Sequence, residues 1–456
     1  MQAFLDRLIK TSPIPTMVRA SLENLLSPEF INTIFREHAV IQSERQLLFS
    51  SIVELMTLVV CRMKPSVHAS FVHLKELFSV SAKSVYNKIN NVEAEVSRQL
   101  VVQTAAKAKE VIDHLAVLHP SPIPGFEVRI LDGNHHPASQ RRLKVLRNVA
   151  AGPLPGQTLV VYDPLRGLVV DCQPCEDAHK QERAILLDLF ERDVEEKSVW
   201  IADRNFCTTY FLFELDFRKA FFVVRHHSQL PLEAVSDRVS RGRVATGEVF
   251  EQTVIIRGVE GSQLRCRLIT IELDEPTRDG DTQIKILSSL PESVPATIIA
   301  ESYRSRWQIE NVNLQLIKHF DSEQTSLGNP PATLFAFAVS LVAFNALALI
   351  QMSLQAAHGE KAKPENISGY FLALELKGTE VVTKIVEDDF WTDSYANLSP
   401  GQLAIELKRI AKNVDLSKFP KSKRGPKKPP TPRTRYKNKP HVSTFKLIQN
   451  VQSRKK

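Results

Sequence analysis

The stretch VRILDGN, residues 128–134, decides how this chain is read, because VWIADRN, residues 199–205, repeats its plan. Each is an apolar run that stops at an Asp followed by Gly or Arg and then Asn, the pattern of a buried strand closed by turn-forming residues. Singly, Asp132 and Asp203 read as ordinary turn formers or helix caps. As a pair they say more. Sites in α/β sheets gather at the carboxyl ends of strands, so two such strands lying side by side would bring two carboxylates to one point.

Outward from these strands the elements alternate. SPIPGF (121–126) marks a change of register. After it, EVRILD is a strand, TLVVYDPLRGLVVDC is two strands joined by a turn, QERAILLDLFER a helix, SVWIAD a strand, FCTTYFLFELDF a helix and KAFFVVR a strand. The order β, β, β, α, β, α, β predicts a mixed sheet with flanking helices, an α/β domain. Residues 226–290 break the alternation with strand-like pieces such as GEVFEQTVIIRG and read as an inserted β subdomain.

A third carboxylate follows the insertion. The helix YRSRWQIENVNLQLIKHF (303–320) sets Tyr303, Arg306 and Glu310 at i, i+3 and i+7, which lines one helical face. Alone, Glu310 reads as a solvated glutamate. With Asp132 and Asp203 it would complete an oxygen-rich site for Mg²⁺ or Mn²⁺, in which two ions about 4 Å apart serve an in-line displacement at phosphorus. Arg306 would then grip a phosphate through its planar guanidinium, and Tyr303 would donate its hydroxyl to the same backbone.

These parts, in this order, resemble the DDE transposases of the insertion sequence four group, whose signature is Tyr, two residues, Arg, three residues, Glu, six residues, Lys. The resemblance covers about residues 125–350. It implies a ribonuclease-H-like core, Asp132, Asp203 and Glu310 as ligands of two divalent ions (Mg²⁺ or Mn²⁺), and DNA contacts from Tyr303, Arg306 and the neighbouring Trp307. It also implies DNA contacts from Arg204 and Asn205, a homodimer in a synaptic complex with the element's terminal inverted repeats and target DNA, and a bacterial nucleoid-associated location. Two positions depart from the pattern. The signature lysine falls on Ile317, with Lys318 one residue later, about 100° further round a helix, where its long side chain or a local bulge would let it serve as the phosphate contact. All three tryptophans (Trp200, Trp307, Trp391) lie outside the insertion, which leaves a hairpin intermediate open.

The rest of the chain divides around this core. Residues 1–120 read as a helical N-terminal domain, 125–225 and 291–355 as the two parts of the core, 356–417 as further helices and 418–456 as a disordered basic tail. Within the first of these, LKELFSVSAKSVYNKINNV has the shape of a helix-turn-helix presenting Lys83, Ser84, Asn87 and Lys88, to be read either as a DNA contact or as plain bundle packing. His135 and His136, just after Asp132, could add a ligand or a general base, since imidazole titrates near neutrality, but read better as loop residues near DNA.

Composition sets the outer bounds. The chain has 456 residues and 43% hydrophobic content, too apolar to be disordered as a whole. Net charge is +8, yet residues 418–456 hold 14 Lys or Arg and no acid, leaving −6 on the remainder. Such a block repels itself and is attracted to polyanions. The five cysteines fit a reducing compartment, and CQPC (172–175) has no partner set for zinc. The N-terminus lacks the features of a signal peptide, which predicts a cytosolic protein. One stretch, LFAFAVSLVAFNALALIQM (334–352), is uncharged and just long enough to span a bilayer. Ser340, Asn345 and the lack of a second span favour a core helix instead. Two rivals remain open: a non-catalytic DNA-binding derivative of such an element, and a metal-dependent nuclease with no joining step.

Overall fold

The computed structural model describes residues 2–42, 46–136, 143–147, 152–190, 194–277, 280–324, 326–375, 388–421 and 442–453. Seven α-helices come first: α1 (Gln2–Thr11), α2 (Pro13–Leu25), α3 (Pro28–His38), α4 (Phe49–Val60), α5 (Val67–His73), α6 (Ala82–Ile89) and α7 (Ala94–Leu115). The sheet begins with β1 (Val128–His135), β2 (Gln157–Asp163) and β3 (Leu168–Cys175), continues through α8 (Glu182–Phe190) to β4 (Val199–Ala202), then through α9 (Thr209–Phe217) to β5 (Phe221–Arg225). Its order is β3, β2, β1, β4, β5, with the first three antiparallel and β4 and β5 parallel to β1. This is the mixed α/β fold that the element order predicts, in the ribonuclease-H-like form that the resemblance implies.

The insertion enlarges this sheet. Strands β6 (Val239–Val244), β7 (Gly247–Arg257), β8 (Gln263–Leu273) and β9 (Gln283–Ser288) run antiparallel, and β9 pairs with β5 through Ile286 opposite Arg225 and Leu287 opposite Val224. With the short Glu233–Ala234 strand the sheet reaches ten strands. A subdomain inferred from a break in alternation thus shares backbone hydrogen bonds with the core, since β5 would otherwise be a bare edge.

Alternation divides the core between two faces. Val128, Ile130, Val199 and Ile201 join a cluster with the N-terminal helices and with α12 (Pro330–His358), whereas Leu131, Trp200 and Ala202 pack against α8 and α9. The N-terminal helices are therefore one layer of the α/β domain: α7 lies against both α12 and β3, and Arg98 on α7 bonds Asp171 on β3 at 2.6 Å. The most apolar 18-residue window of α12 is wholly buried within the protein, so this segment is a core helix. Asn345, which interrupts its apolar run, accepts from the Val169 N–H and donates to the Val169 carbonyl, both at 2.8 Å, beside the register shift between β2 and β3.

Two sequence expectations change here. The single helix expected over 303–320 is divided between two, α10 (Ala296–Arg304) and α11 (Trp307–His319). Between them Arg306 N–H bonds the Tyr303 carbonyl and Gln308 N–H bonds the Ser305 carbonyl, three residues back, while the Ser305 hydroxyl takes the Ser302 carbonyl at 2.6 Å. That local competition for a carbonyl tightens the turn. Second, parts of the expected disordered tail are ordered: Val442–Ser443 pairs in parallel with Pro153–Leu154, and the helix Thr444–Ser453 follows, with Lys446 3.1 Å from Asp177. Residues 442–453 carry one basic residue, and their apolar members give the chain something to pack. The lysine-rich stretch 422–441 lies outside the described residues.

Candidate active site

The two aspartates meet because their strands are parallel neighbours. Leu131 is opposite Ala202 in the register, so the next positions, Asp132 and Asp203, stand side by side at the strand ends. Alternation aims both at the face occupied by Ile130 and Ile201, the face covered by Tyr303, Ile309 and Leu316 of α10 and α11. Backbone amides hold them in place. Asp132 Oδ1 accepts from the Gly133 N–H at 3.0 Å, and Asp203 Oδ1 accepts from the Arg204 N–H at 2.6 Å, capping the turn Arg204–Phe206.

Arg306 closes the group from above. Its Nη2 donates to Glu310 Oε1 at 2.8 Å, and its Nη1 lies 3.8 Å from Asp132 Oδ2. Its Nε is buried and has no hydrogen-bond partner, so one donor of the guanidinium is unspent. Tyr303 is buried, its hydroxyl pushed up to about 12 by burial and by the charge of Asp203, with Arg306 pulling the other way. Burial pushes the Asp132 carboxyl up to about 6, against the lowering pull of Arg306 and of the Gly133 amide. The break between α10 and α11 thus does not scatter the row: Tyr303 ends one helix, Arg306 sits at the turn and Glu310 is in the first turn of the next.

A fourth carboxylate, unforeseen from the sequence, approaches from the opposite face. Gly133 points to the side of α8, and a Cβ there would overlap the Glu182 carboxylate. Glu182 is hydrogen-bonded to Asn205 and raised by burial, and its charge acts on Asp132. The available signal was the glycine itself, since an Asp-Gly pair ending a strand has two explanations: a turn, or the close approach of another group. The phase of Gly133 on β1 points to the second.

The other expected residues are dispersed. Arg204 and Asn205 are exposed on the turn after Asp203. Trp307 is 61% exposed, its ring centre 6.0 Å from the Arg306 guanidinium carbon. Lys318 is exposed near the end of α11, where Arg62 donates to the carbonyls of Ile317 and Lys318. On α6, Lys83 and Asn87 face solvent, but the Lys88 ammonium sits 3.8 Å from the centre of the Phe35 ring, so this residue packs within the helical layer. His136 leaves the expected loop role altogether: it is buried, bonded to the Thr158 hydroxyl at 2.9 Å and packed on Phe337. All five cysteines are free thiols.

The donor chemistry fits a hard divalent ion. Asp132 and Asp203 present carboxylate oxygens at neighbouring strand ends, and burial raises the Asp132 carboxyl. Among the described residues no three His, Cys, Asp or Glu side chains stand close enough in this arrangement to enclose an ion. Glu310 is bonded to Arg306.

No curated protein matches the chain. Residues 156–345 match the family model described as Transposase DDE domain, a segment that holds Asp203, Tyr303, Arg306 and Glu310 and begins after Asp132. Domains of that family generally depend on divalent metal, and the match over this segment, on this fold, supports a DDE transposase.

Proposed function

We propose that the protein is a transposase of the insertion sequence four group, which binds the terminal inverted repeats of its element, cuts at their ends and joins the freed 3′ hydroxyl to target DNA. The observation that carries this is the meeting of Asp132 and Asp203 at neighbouring strand ends beneath Tyr303, Arg306 and Glu310. Asp132, Asp203 and Glu310 hold the divalent ions, Mg²⁺ or Mn²⁺. When bound, the ions supply Lewis acidity to the attacking and leaving oxygens. Arg306 turns from Glu310 to the scissile phosphate, where its unspent Nε and its Nη atoms grip two non-bridging oxygens. Tyr303, kept in its neutral form by burial, donates its hydroxyl to the same strand.

Trp307 offers an exposed ring on which a base can stack, and Lys318 and Arg204 add positive charge along the strand. Lys83 and Asn87 on α6 read the repeat, and the basic stretch before residue 442 contributes salt-sensitive, sequence-blind affinity. Two copies hold the two ends in one synaptic complex. The domain limits of the sequence reading, 1–120 for end recognition and 418–456 for non-specific binding, belong to this proposal.

The test is strand cleavage and joining on a labelled duplex carrying the element's own terminal repeat, with Mg²⁺ or Mn²⁺, comparing wild type with Glu310→Gln. Cutting and joining by the wild type alone, with equal binding by both, is the expected result. Cutting without joining on any duplex would make the protein a nuclease, and binding with no cleavage by either would leave a DNA-binding derivative.

A further inference from the structure

On the α8 side of the strand ends, opposite Arg306, a groove of about 660 Å³ opens beside the carboxylates. Its walls come from three places: His135 at the end of β1, the segment Ala178–Arg183 leading into α8, and Arg204–Thr209 after Asp203, with His227 and Gln229 at the far rim. The lining sets polar groups beside the apolar side chains of Ala178, Cys207 and Leu230. It contains Lys180, Arg183 and Arg204, three histidines and the hydroxyls of Thr208 and Thr209, and it contains no Phe, Tyr or Trp.

The arginines of the groove are not spent on acids. Several elsewhere are, such as Arg98 on Asp171, Arg166 on Asp113 and Glu127, Arg225 on Asp281 and Arg267 on Glu251, while Arg36 bonds the Thr33 hydroxyl and Arg62 bonds backbone carbonyls. Among the described residues neither Arg183 nor Arg204 makes an ion pair; Arg183 Nε bonds only the Gln181 side chain, at 2.5 Å. Lys180 is held by Asp188 at 2.8 Å. The one acid in the lining, Glu182, is turned inward onto Gly133 and Asn205.

From this we infer that the groove holds the sugar-phosphate backbone of a single DNA strand next to the bond being cut, with Arg183 and Arg204 on successive phosphates. The inference rests on the transposase reading and adds to it a path for one strand on the α8 side. The volume suits one or two nucleotides, within the roughly 300–1,000 Å³ of ordinary ligand sites. Sequence-tolerant grip on bases uses aromatic platforms, and their absence here leaves phosphate as the group recognised, so the groove should not distinguish sequences.

The test is binding of a fluorescein-labelled single-stranded oligonucleotide to the full-length protein in EDTA, followed by anisotropy over a salt series. Wild type is compared with Arg183→Ala/Arg204→Ala and with Arg183→Lys/Arg204→Lys. Each lost phosphate contact lowers the slope of log K against log salt by about 0.7 for a single strand, so the alanine pair should lower it by about 1.4. That corresponds to a Kd roughly 60-fold weaker at 50 mM salt, converging with wild type near 1 M. The lysine pair should restore most of the slope, and oligonucleotides of different sequence should behave alike. An unchanged slope in the alanine pair overturns the inference, as does a loss confined to one sequence. Because no metal or cleavage is involved, this result stands apart from the Glu310→Gln comparison: a chain that never cuts DNA can still pass it, and a chain that cuts can fail it.

Discussion

The strand-borne and helix-borne halves of the site are held by different means. Asp132 and Asp203 are placed by backbone: adjacent parallel strands fix their spacing, and a backbone amide fixes the rotamer of each. Glu310 is placed by a side chain, the Arg306 guanidinium, on a helix that starts afresh at a tightened turn. A ladder of backbone bonds does not shift to accommodate an altered ligand, whereas a side-chain contact can be exchanged for another. In the proposed reaction the first half would be a fixed platform, and the second the part that changes partners when substrate arrives.

The sharpest way to break this comparison is to change ligand length on each side. Asp132→Glu pushes a carboxylate into space the backbone cannot vacate, and we expect cleavage to fall by about a thousand-fold or more, the several kcal/mol of charge stabilisation such a site supplies. Glu310→Asp, on the helix side, should lose less, on the order of 10–100-fold. Single-turnover rates with binding held saturating would measure both. Equal losses would show that α11 is as rigid as the sheet.

A smaller effect should follow from filling the space at Gly133. Gly133→Ala forces Glu182 away from the strand end. We expect cleavage to fall about tenfold and the melting temperature to drop by a few degrees, as overpacking by one methyl costs about 1–3 kcal/mol. Adding Glu182→Ala removes the clash, so the double variant should recover the melting temperature. If it does not, the glycine is needed for something other than room.

How much of this was legible beforehand depends on the kind of contact. The fold was legible because it rests on periodicity: the order of strands and helices from EVRILD to KAFFVVR appears in the sheet, and the Asp pair follows from two strands ending alike. The assignment of α12 to the core was legible from the interruptions of its apolar run at Ser340 and Asn345, of which Asn345 bonds Val169. The break at Ser305 was not, because it depends on one hydroxyl finding a carbonyl. Nor was Glu182, since nothing in a helix of ordinary composition tells which strand position it will meet across the sheet. Lys88 shows the same limit: its spacing suits a recognition helix, and only the position of Phe35 on α3 turns it inward.

His136 links the platform to the core and gives the smallest predicted effect. It continues β1 just past the site, and its ring is buried between the Thr158 hydroxyl and Phe337 on α12. Burial lowers its pKa from the ordinary 6.5 to about 3. The unfolded chain therefore takes up a proton that the folded chain refuses, so the stability this residue contributes is complete above about pH 6.5 and is lost as the pH falls toward 3. Between pH 7 and pH 5.5 the loss amounts to about 1 kcal/mol. His136→Gln keeps a polar group for Thr158 but cannot titrate, so urea unfolding at the two pH values should show a fall smaller by about that amount than in wild type. The same falls in both proteins would mean that the ring is protonated without leaving its place. The end of β1 would then be looser than the backbone ladder implies, and the contrast between a fixed platform and a movable helix would weaken on the platform side.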